Sequence, residues 1–205
     1  MKYFYGLVII VIGIILVYSF FPSTSSKADY IQTVIKERQE IEQFMRHDPD
    51  SPFIKKGKVE FKGLKYFDID PTFRVNATVK RLENPELITI AMSDGSQENY
   101  FRYAIASFDL VDESQTLTLL KSEKHWSEYW VFLPFYDETS ALETYGGGRY
   151  LNIDYNGEST MIIDFNLCYN PYCAYTDTYR CPFPPTENNI TVAVKAGEKI
   201  YDEVH

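Results

Sequence analysis

Basic residues are the first thing that this sequence has little of. It carries 20 Lys and Arg against 29 Asp and Glu, a formal net charge of −9 over 205 residues. A phosphate backbone would repel such a chain, and no stripe of Lys and Arg interleaves with aromatic residues. The same sign argues against a face that lies on anionic lipid. We therefore expect no nucleic-acid partner.

Metal ligands and catalytic signatures are also scarce. The chain has three Cys, and only His47, His125 and His205 could assist them in holding a metal ion. Signatures such as G-x-S-x-G and H-E-x-x-H are absent. We expect no metal and no cofactor, and no hydrolysis by the routes that these signatures mark.

Aromatic residues, by contrast, are abundant, with 17 Tyr and 14 Phe. Such residues are enriched in strands rather than in helices. The length suits one domain plus an anchor, since a second compact domain would leave each half very small. The composition therefore predicts a mainly β domain of the α+β class.

The longest hydrophobic run lies at the N-terminus. Residues 3–21 carry no charge, and as a helix they would cover about 28 Å, enough to span the hydrocarbon of a bilayer. Lys2 favours a cytoplasmic N-terminus. We predict a transmembrane anchor and spacer over residues 1–24, and a single exported domain over residues 25–205, outside the cytoplasmic membrane. A signal peptide cleaved after Ser26-Lys27-Ala28 is the alternative.

An amphipathic helix is predicted next to the membrane. Apolar residues recur at three- and four-residue steps from Tyr30 to Met45, with charged residues between them. Ser26 and Asp29 resemble a capping box, and the helix should end near Asp48 because two prolines follow. We expect this helix to pack on the sheet; a dimerising juxtamembrane helix is the alternative.

Beyond Val59 the apolar pattern changes to a period of two, which is typical of half-buried strands. Asp94-Gly95 and Asn156-Gly157 are hairpin signals, because the central positions of these turns need positive φ. Many short antiparallel strands favour a sheet rolled into a small barrel or β-roll. The predicted strands are Phe73–Val79, Leu87–Ser93, Gln97–Leu110, Thr116–Lys121, Tyr129–Phe135, Arg149–Tyr155, Thr160–Phe165 and Ile190–Lys195.

The second hairpin signal also predicts a register. If Asn156-Gly157 is a two-residue loop, Leu151 pairs with Ile162 and Arg149 pairs with Asp164 as an ion pair beside apolar residues. Such a pair could close the end of the core, or its charges could point into a ligand site. Both interpretations remain open at the level of sequence.

Cys173 and Cys181 are candidates for a disulfide. They enclose seven residues, and an exported domain can keep such a bond oxidised. Metal binding is a weaker alternative for these thiols. A buried, unreactive thiol is then the simplest interpretation of Cys168.

Long motifs in the exported part closely resemble the uncharacterised bacterial family catalogued as domain of unknown function 1684. The motifs are Gly63-Leu64-Lys65-Tyr66-Phe67, Phe73-Arg74-Val75, Phe132-Leu133-Pro134-Phe135, Glu143 to Leu151, Asp164-Phe165-Asn166, Tyr169 to Tyr175, Cys181 to Asn188 and Ala196-Gly197-Glu198-Lys199. The resemblance covers most of the exported part. It implies no established reaction, ligand or partner.

What the resemblance supplies is a set of candidate residues. Cys168 has no counterpart in the motifs, which agrees with an unpaired thiol, and Asp68 stands where the family has a proline. The residues that match motif positions are Arg149, Asp164, Asn166, Asn170, Cys173, Cys181, Glu187 and Asn188.

Three hypotheses for function follow. The first is a membrane-tethered binding or interaction module of the cell envelope. The second is a small-molecule enzyme with a polar site around Arg149, Asp164 and Asn166, in which Asp164 or Glu187 is the acid/base and Arg149 binds an anion. In the third, the polar residues form a hydrogen-bonded plug that fastens the loop of residues 167–189 onto the sheet.

Overall fold

The structure is a computed structural model that describes residues 26–55, 60–126 and 129–201. It begins with helix α1, Lys27–His47. The side chain of Ser26 accepts a hydrogen bond from the Asp29 N–H, and Asp29 returns one to the Ser26 N–H, so the predicted capping box is confirmed. The helix ends before Asp48, as predicted.

Six antiparallel strands form one sheet that is nearly closed into a barrel, which confirms the mainly β prediction. The order across the sheet is β5-β4-β3-β2-β1-β6. The strands are β1 Arg74–Ala91, β2 Gln97–Leu110, β3 Glu113–Ser122, β4 Trp130–Phe135, β5 Arg149–Asp154 and β6 Thr160–Asp164. A short helix α2, Pro52–Lys55, follows α1, and 3-10 turns lie at Pro71–Phe73, Glu123–His125, Phe165–Leu167 and Tyr172–Ala174.

The first predicted hairpin is present. Ala91 pairs with Gln97 across the turn, and Gly95 has the positive φ of 82° that favours glycine. Asp94 does not share that conformation, and the Met92 N–H donates to the Ser96 carbonyl, so the loop is longer than two residues. The two strands predicted before this turn are one strand, β1, whose register shifts between Arg81 and Glu86. Pro85 lies at that shift, where a missing N–H can be tolerated.

The second predicted hairpin is wrong. In the described residues β5 pairs with β4, whereas β6 pairs with β1, so these two strands form opposite edges of the sheet. The turn itself exists, because Gly157 has a φ of 93°. The chain diverges on either side of it: the Tyr155 N–H donates to the Tyr129 carbonyl, while the Ser159 carbonyl accepts from Val79. Helix α1 lies over the resulting seam, where Val34 is buried.

The predicted last strand, Ile190–Lys195, is also wrong. Ile190, Val192 and Val194 are buried in alternation, as the pattern required. The segment is irregular, however, because only some of its backbone groups pair with another backbone segment, the Ile190 N–H with the Tyr136 carbonyl and the Val192 carbonyl with the Glu138 N–H. Others bond to side chains: the Val194 carbonyl accepts from Arg149, and the Thr191 N–H donates to Gln115. Alternating burial therefore does not imply a hydrogen-bonded strand.

Both faces of the sheet are covered. On β4, Val131, Leu133 and Phe135 belong to the barrel core. Phe132 belongs to a separate cluster on the outer face, which consists of Ile90, Tyr100, Leu120, Phe132 and Tyr150. The loop after β6 and helix α1 cover that outer cluster. Because adjacent residues of a strand face opposite sides, one short strand contributes to two cores.

Among the described residues, no helix is both long and apolar enough to cross a bilayer. The predicted span and the anchor of residues 1–24 lie outside the described residues.

Candidate functional site

Arg149 begins β5 and lies at one end of the barrel, fully buried. Its Nη2 atom donates to the Asp137 carboxylate at 2.5 Å and to the Val194 carbonyl at 2.8 Å. Its Nη1 atom donates to the carbonyls of Ala196 and Glu198. The predicted ion pair with Asp164 is wrong, because β5 and β6 do not pair and Asp137 provides the counter-charge instead.

Asp164 and Asn166 do come together, at the seam beneath α1. The Tyr30 hydroxyl donates to Asp164 at 2.9 Å, and Asn166 Nδ2 donates to Tyr30 Oη at 2.9 Å. Arg74 is 3.6 Å from the Asp164 carboxylate. Burial, followed by the hydrogen bond to Asp164, raises the pKa of Tyr30. Asp164 lines a cleft of about 630 Å³ between β5, β6 and α1.

Asn170 lies in the loop after β6 and is fully buried. Its backbone N–H and its Nδ2 atom donate to the two carboxylate oxygens of Glu198, each at 3.0 Å. The Tyr175 hydroxyl adds a third hydrogen bond to Glu198 at 2.7 Å. Arg149 and Asn170 therefore meet through Glu198, one at its carbonyl and the other at its carboxylate.

Glu187 and Asn188 are adjacent in sequence but serve different regions. Glu187 forms a partly exposed ion pair with Arg102 at 2.7 Å. Asn188 is buried and bonds to Thr118 on β3 and to the Pro134 carbonyl on β4. These bonds join β3 and β4, which share a single register pair.

The six candidate residues thus lie in four different places rather than in one site. Asp164 and Asn166 form one cluster and Arg149 and Asn170 contact one another through Glu198, whereas Glu187 and Asn188 lie elsewhere. Most of their bonds go to backbone groups of the segments around them. They do not surround one common concavity.

A different concavity, the aromatic cavity, lies on the outer face of the sheet and has a volume of about 560 Å³. Its walls are rings from the strands and from the covering loop, and α1 closes one side. The lining residues include Phe44 of α1, Tyr100, Trp130, Phe132, Tyr150, Tyr169, Tyr172, Tyr179, Arg180 and Pro182, with Glu98 and Glu198 as the acidic ones.

The rings of this cavity are held in fixed orientations. Phe132 packs edge-on against Tyr150 with 4.8 Å between centroids, and Tyr150 packs edge-on against Tyr169 at 6.0 Å. The Tyr150 hydroxyl donates to the Pro182 carbonyl. Burial raises the pKa of Tyr100 to about 12, which shows how far this hydroxyl is removed from solvent.

The predicted disulfide between Cys173 and Cys181 is confirmed, with 6.2 Å between the Cα atoms. Cys181 lines the cavity, and the loop that the bond closes also carries Tyr179 and Arg180. Cys168 is the free, buried thiol. Burial raises its pKa to about 11, which keeps it protonated and unreactive.

Glu198 was not among the candidate residues, although it stands in the motif Ala196-Gly197-Glu198-Lys199. Glu198 is buried, and burial raises its pKa to about 7 against the hydrogen bonds from Asn170 and Tyr175. The preceding Gly197 has a φ of 73°, and a Cβ atom there would collide with Cys168. Only glycine therefore lets the chain place Glu198 beneath the loop. Asp137 carried no signal that sequence reasoning could use.

Comparison with known proteins identifies the family. The family model described as "Protein of unknown function (DUF1684)" matches residues 59–199. The chain belongs to this family. The solution NMR structure of an uncharacterized protein from Haloarcula marismortui is similar, with 36% identity and a TM-score of 0.66 over 86% of this chain and 97% of that one. No curated protein matches the chain.

The DUF1684 match covers the strands, the disulfide loop and Glu198, but not α1. One wall of the cavity, formed by Ile41, Phe44 and Met45, therefore lies outside the matched residues. The remaining walls lie within them.

Proposed function

We propose that this DUF1684 domain is a membrane-tethered module that binds a small, largely apolar molecule in the aromatic cavity. The observation that carries the proposal is the cavity itself, about 560 Å³ in volume and lined mainly by aromatic side chains. Ligand sites of this size typically combine apolar walls with a few polar groups. Glu98, Arg180 and Glu198 would be those polar groups.

The walls come from segments far apart in sequence. β4 and β5 supply Phe132 and Tyr150, which pack against one another, while the loop after β6 supplies Tyr169. The disulfide and the Tyr150–Pro182 hydrogen bond hold that loop against the sheet. A site whose rings are held in place before binding loses little conformational entropy when a ligand enters.

In this proposal the sequence-predicted polar residues build the site without touching the ligand. Arg149, Asn170 and Asn188 bond to the backbone of the segments that surround the cavity and the barrel end. This favours the plug hypothesis for those residues. Their separation leaves the enzyme hypothesis without a shared reaction centre.

The tether rests on the sequence. Residues 3–21 are uncharged and long enough to span a bilayer as a helix. The run ends five residues before Ser26, the N-cap of α1. An anchor with a cytoplasmic N-terminus would therefore lead into the helix that closes the cavity, and would place the domain outside the cytoplasmic membrane. Membrane pelleting that survives alkaline carbonate, together with protease access from the outside of intact cells, tests the tether.

A thermal-shift screen of the full chain in detergent micelles tests the binding. We expect small aromatic and alicyclic compounds to raise the melting temperature, because a bound ligand stabilises the folded state by mass action. Phe44→Trp, which enlarges a side chain at the cavity wall, should abolish the shift.

Glu40→Trp is the matched control, since it adds the same ring to an exposed position of α1. A shift that persists in Phe44→Trp, or that vanishes equally in Glu40→Trp, would count against the cavity as the binding site.

A further inference from the structure

We infer that the aromatic cavity takes an organic cation, an amine or quaternary ammonium with apolar substituents, and that Glu198 supplies its counter-charge. This inference rests on the proposed function and names the class of ligand. Three features of the cavity support it: a buried carboxylate to which no described cationic group donates, the aromatic walls, and the fixed position of that carboxylate.

Among the described residues, one buried carboxylate accepts no hydrogen bond from a cationic side chain. Arg149 and Asp137 neutralise one another at 2.5 Å. Glu198 is as buried as Arg149, yet in the described part of the chain its carboxylate oxygens accept only from uncharged donors, Asn170 and Tyr175. An ionised carboxylate in an apolar site is costly, and the nearby Arg149 guanidinium, which donates to the Glu198 carbonyl and not to its carboxylate, offsets only part of that cost. A cation in the cavity that Glu198 lines would supply a direct partner for this carboxylate.

The second acidic residue of the cavity is already matched. Glu98 accepts from Lys124 and from Arg180, each at 2.8 Å. Lys124 and Arg180 are thus both cationic partners of Glu98, so among the carboxylates that line the cavity only Glu198 accepts from no cationic side chain in the described residues. The proposed cationic ligand is therefore assigned to Glu198.

The walls suit a cation with apolar substituents. Aromatic faces attract cations through the ring quadrupole, and clusters of aromatic rings are the usual recognition element for quaternary ammonium groups. Phe132, Tyr150 and Tyr169 follow one another edge-to-face, with interplanar angles of 79° and 85°. Rings set at right angles present both faces and edges to the space that they enclose.

The carboxylate is held in position before any ligand arrives. Its two oxygens accept three hydrogen bonds, one from the Asn170 N–H, one from Asn170 Nδ2 and one from Tyr175. Gly197 and the bond from the Glu198 N–H to the Cys168 carbonyl fix the backbone. Burial raises the pKa of Glu198 to about 7, a direction that a bound cation would reverse.

A matched pair of probes tests the charge. Para-tert-butylbenzyl alcohol and its trimethylammonium analogue have the same shape, but N⁺ replaces the quaternary carbon in the second. Calorimetric titration of the full chain in micelles at pH 8 should show the cation binding at least about tenfold more tightly, given the strength of desolvated cation–π contacts with a counter-charge.

Glu198→Gln should remove this tenfold preference while it changes the affinity for the alcohol by no more than about twofold. Glu138→Gln is the matched control, because it removes a carboxylate from an exposed position that does not line the cavity, and it should preserve the preference. If Glu198→Gln does not fold, the pH dependence of probe affinity in the wild-type chain tests the same point. Affinity for the cation should fall between pH 8 and pH 6, as Glu198 is protonated, whereas affinity for the alcohol should not.

The other ionisable groups around Glu198 are Arg149, Asp137, Tyr66, Tyr175 and Cys168. Burial raises the pKa of both tyrosines and of the thiol, which keeps them protonated over that pH range.

Equal affinities for the two probes would overturn the inference and leave the cavity as an apolar binding site. Failure of both probes to bind would count against the cavity itself, and so against the proposed function as well. A cation preference that Glu198→Gln preserves would show that Glu198 does not supply the counter-charge, and a preference that Glu138→Gln abolishes would show that the effect is not specific to the cavity.

Discussion

Arg149 and Glu198 are two buried charges of the same domain, and their surroundings differ. The guanidinium of Arg149 has a carboxylate and three carbonyls around it, all supplied by the chain. The carboxylate of Glu198 has three uncharged donors and an aromatic cavity beside it. The carboxylate of Asp137 pairs with Arg149, whereas no cationic side chain among the described residues donates to the carboxylate of Glu198, and this difference is the basis of the proposed ligand site.

The largest expected effect comes from removing the satisfied charge. Arg149→Ala should lower the free energy of unfolding by about 3–5 kcal/mol, because Asp137 and three carbonyls would be left buried without their donor. Urea denaturation measures this loss. Arg102→Ala is the control: its ion pairs with Glu86 and Glu187 are partly exposed, and the loss there should stay within about 1 kcal/mol. Equal losses of unfolding free energy in the two variants would show that the buried arginine stabilises the fold no more than the exposed one.

The titration of Glu198 should make the free energy of unfolding depend on pH. Folding raises the pKa of Glu198 from 4.5 to about 7, so the folded state binds the proton more tightly than the unfolded state between these values. The stability contributed by protonated Glu198 is therefore present below pH 4.5 and is lost as pH rises through 7.

The size of that loss is of the order of 3 kcal/mol. Denaturation at a series of pH values should show a flatter profile for Glu198→Gln than for the wild-type chain. Parallel profiles for the two proteins would mean that Glu198 is not the titrating group.

The disulfide should have a somewhat smaller effect. Replacing Cys173 and Cys181 with serine should cost about 2.6 kcal/mol from the loop-closure entropy of so short a ring. Because Cys181 lines the cavity, ligand affinity should fall as well. Reductant should lower the free energy of unfolding of the wild-type chain and leave that of the double variant unchanged. An equal decrease in both proteins would show that reductant acts on something other than this disulfide.

Features set by neighbouring residues could be predicted from the sequence. The Ser26 cap, the end of α1 at Asp48 and the turn at Gly95 each depend on contacts within a few residues. The barrel-like sheet followed from strand patterning, and the disulfide from the short spacing of two cysteines. The pattern of neighbouring residues is therefore enough to predict caps, turns and the type of secondary structure.

Features set by distant partners could not be predicted. A turn at Asn156-Gly157 says nothing about β1, which supplies the partner of β6 from far upstream. The alternation from Ile190 to Lys195 reports burial, but not that the Val194 carbonyl bonds to Arg149. Phe132 and Val131 look equally apolar in sequence, so the outer cavity could not be separated from the barrel core.

Carbon-13 spectra of the aromatic rings, recorded on the full chain in micelles during titration with the trimethylammonium probe, would locate the binding site. We expect saturable shifts confined to the rings of the cavity, with Tyr100, Phe132 and Tyr150 among them. Shifts centred instead on Tyr30, at the cleft beside Asp164, would show that the cavity is not where the probe binds.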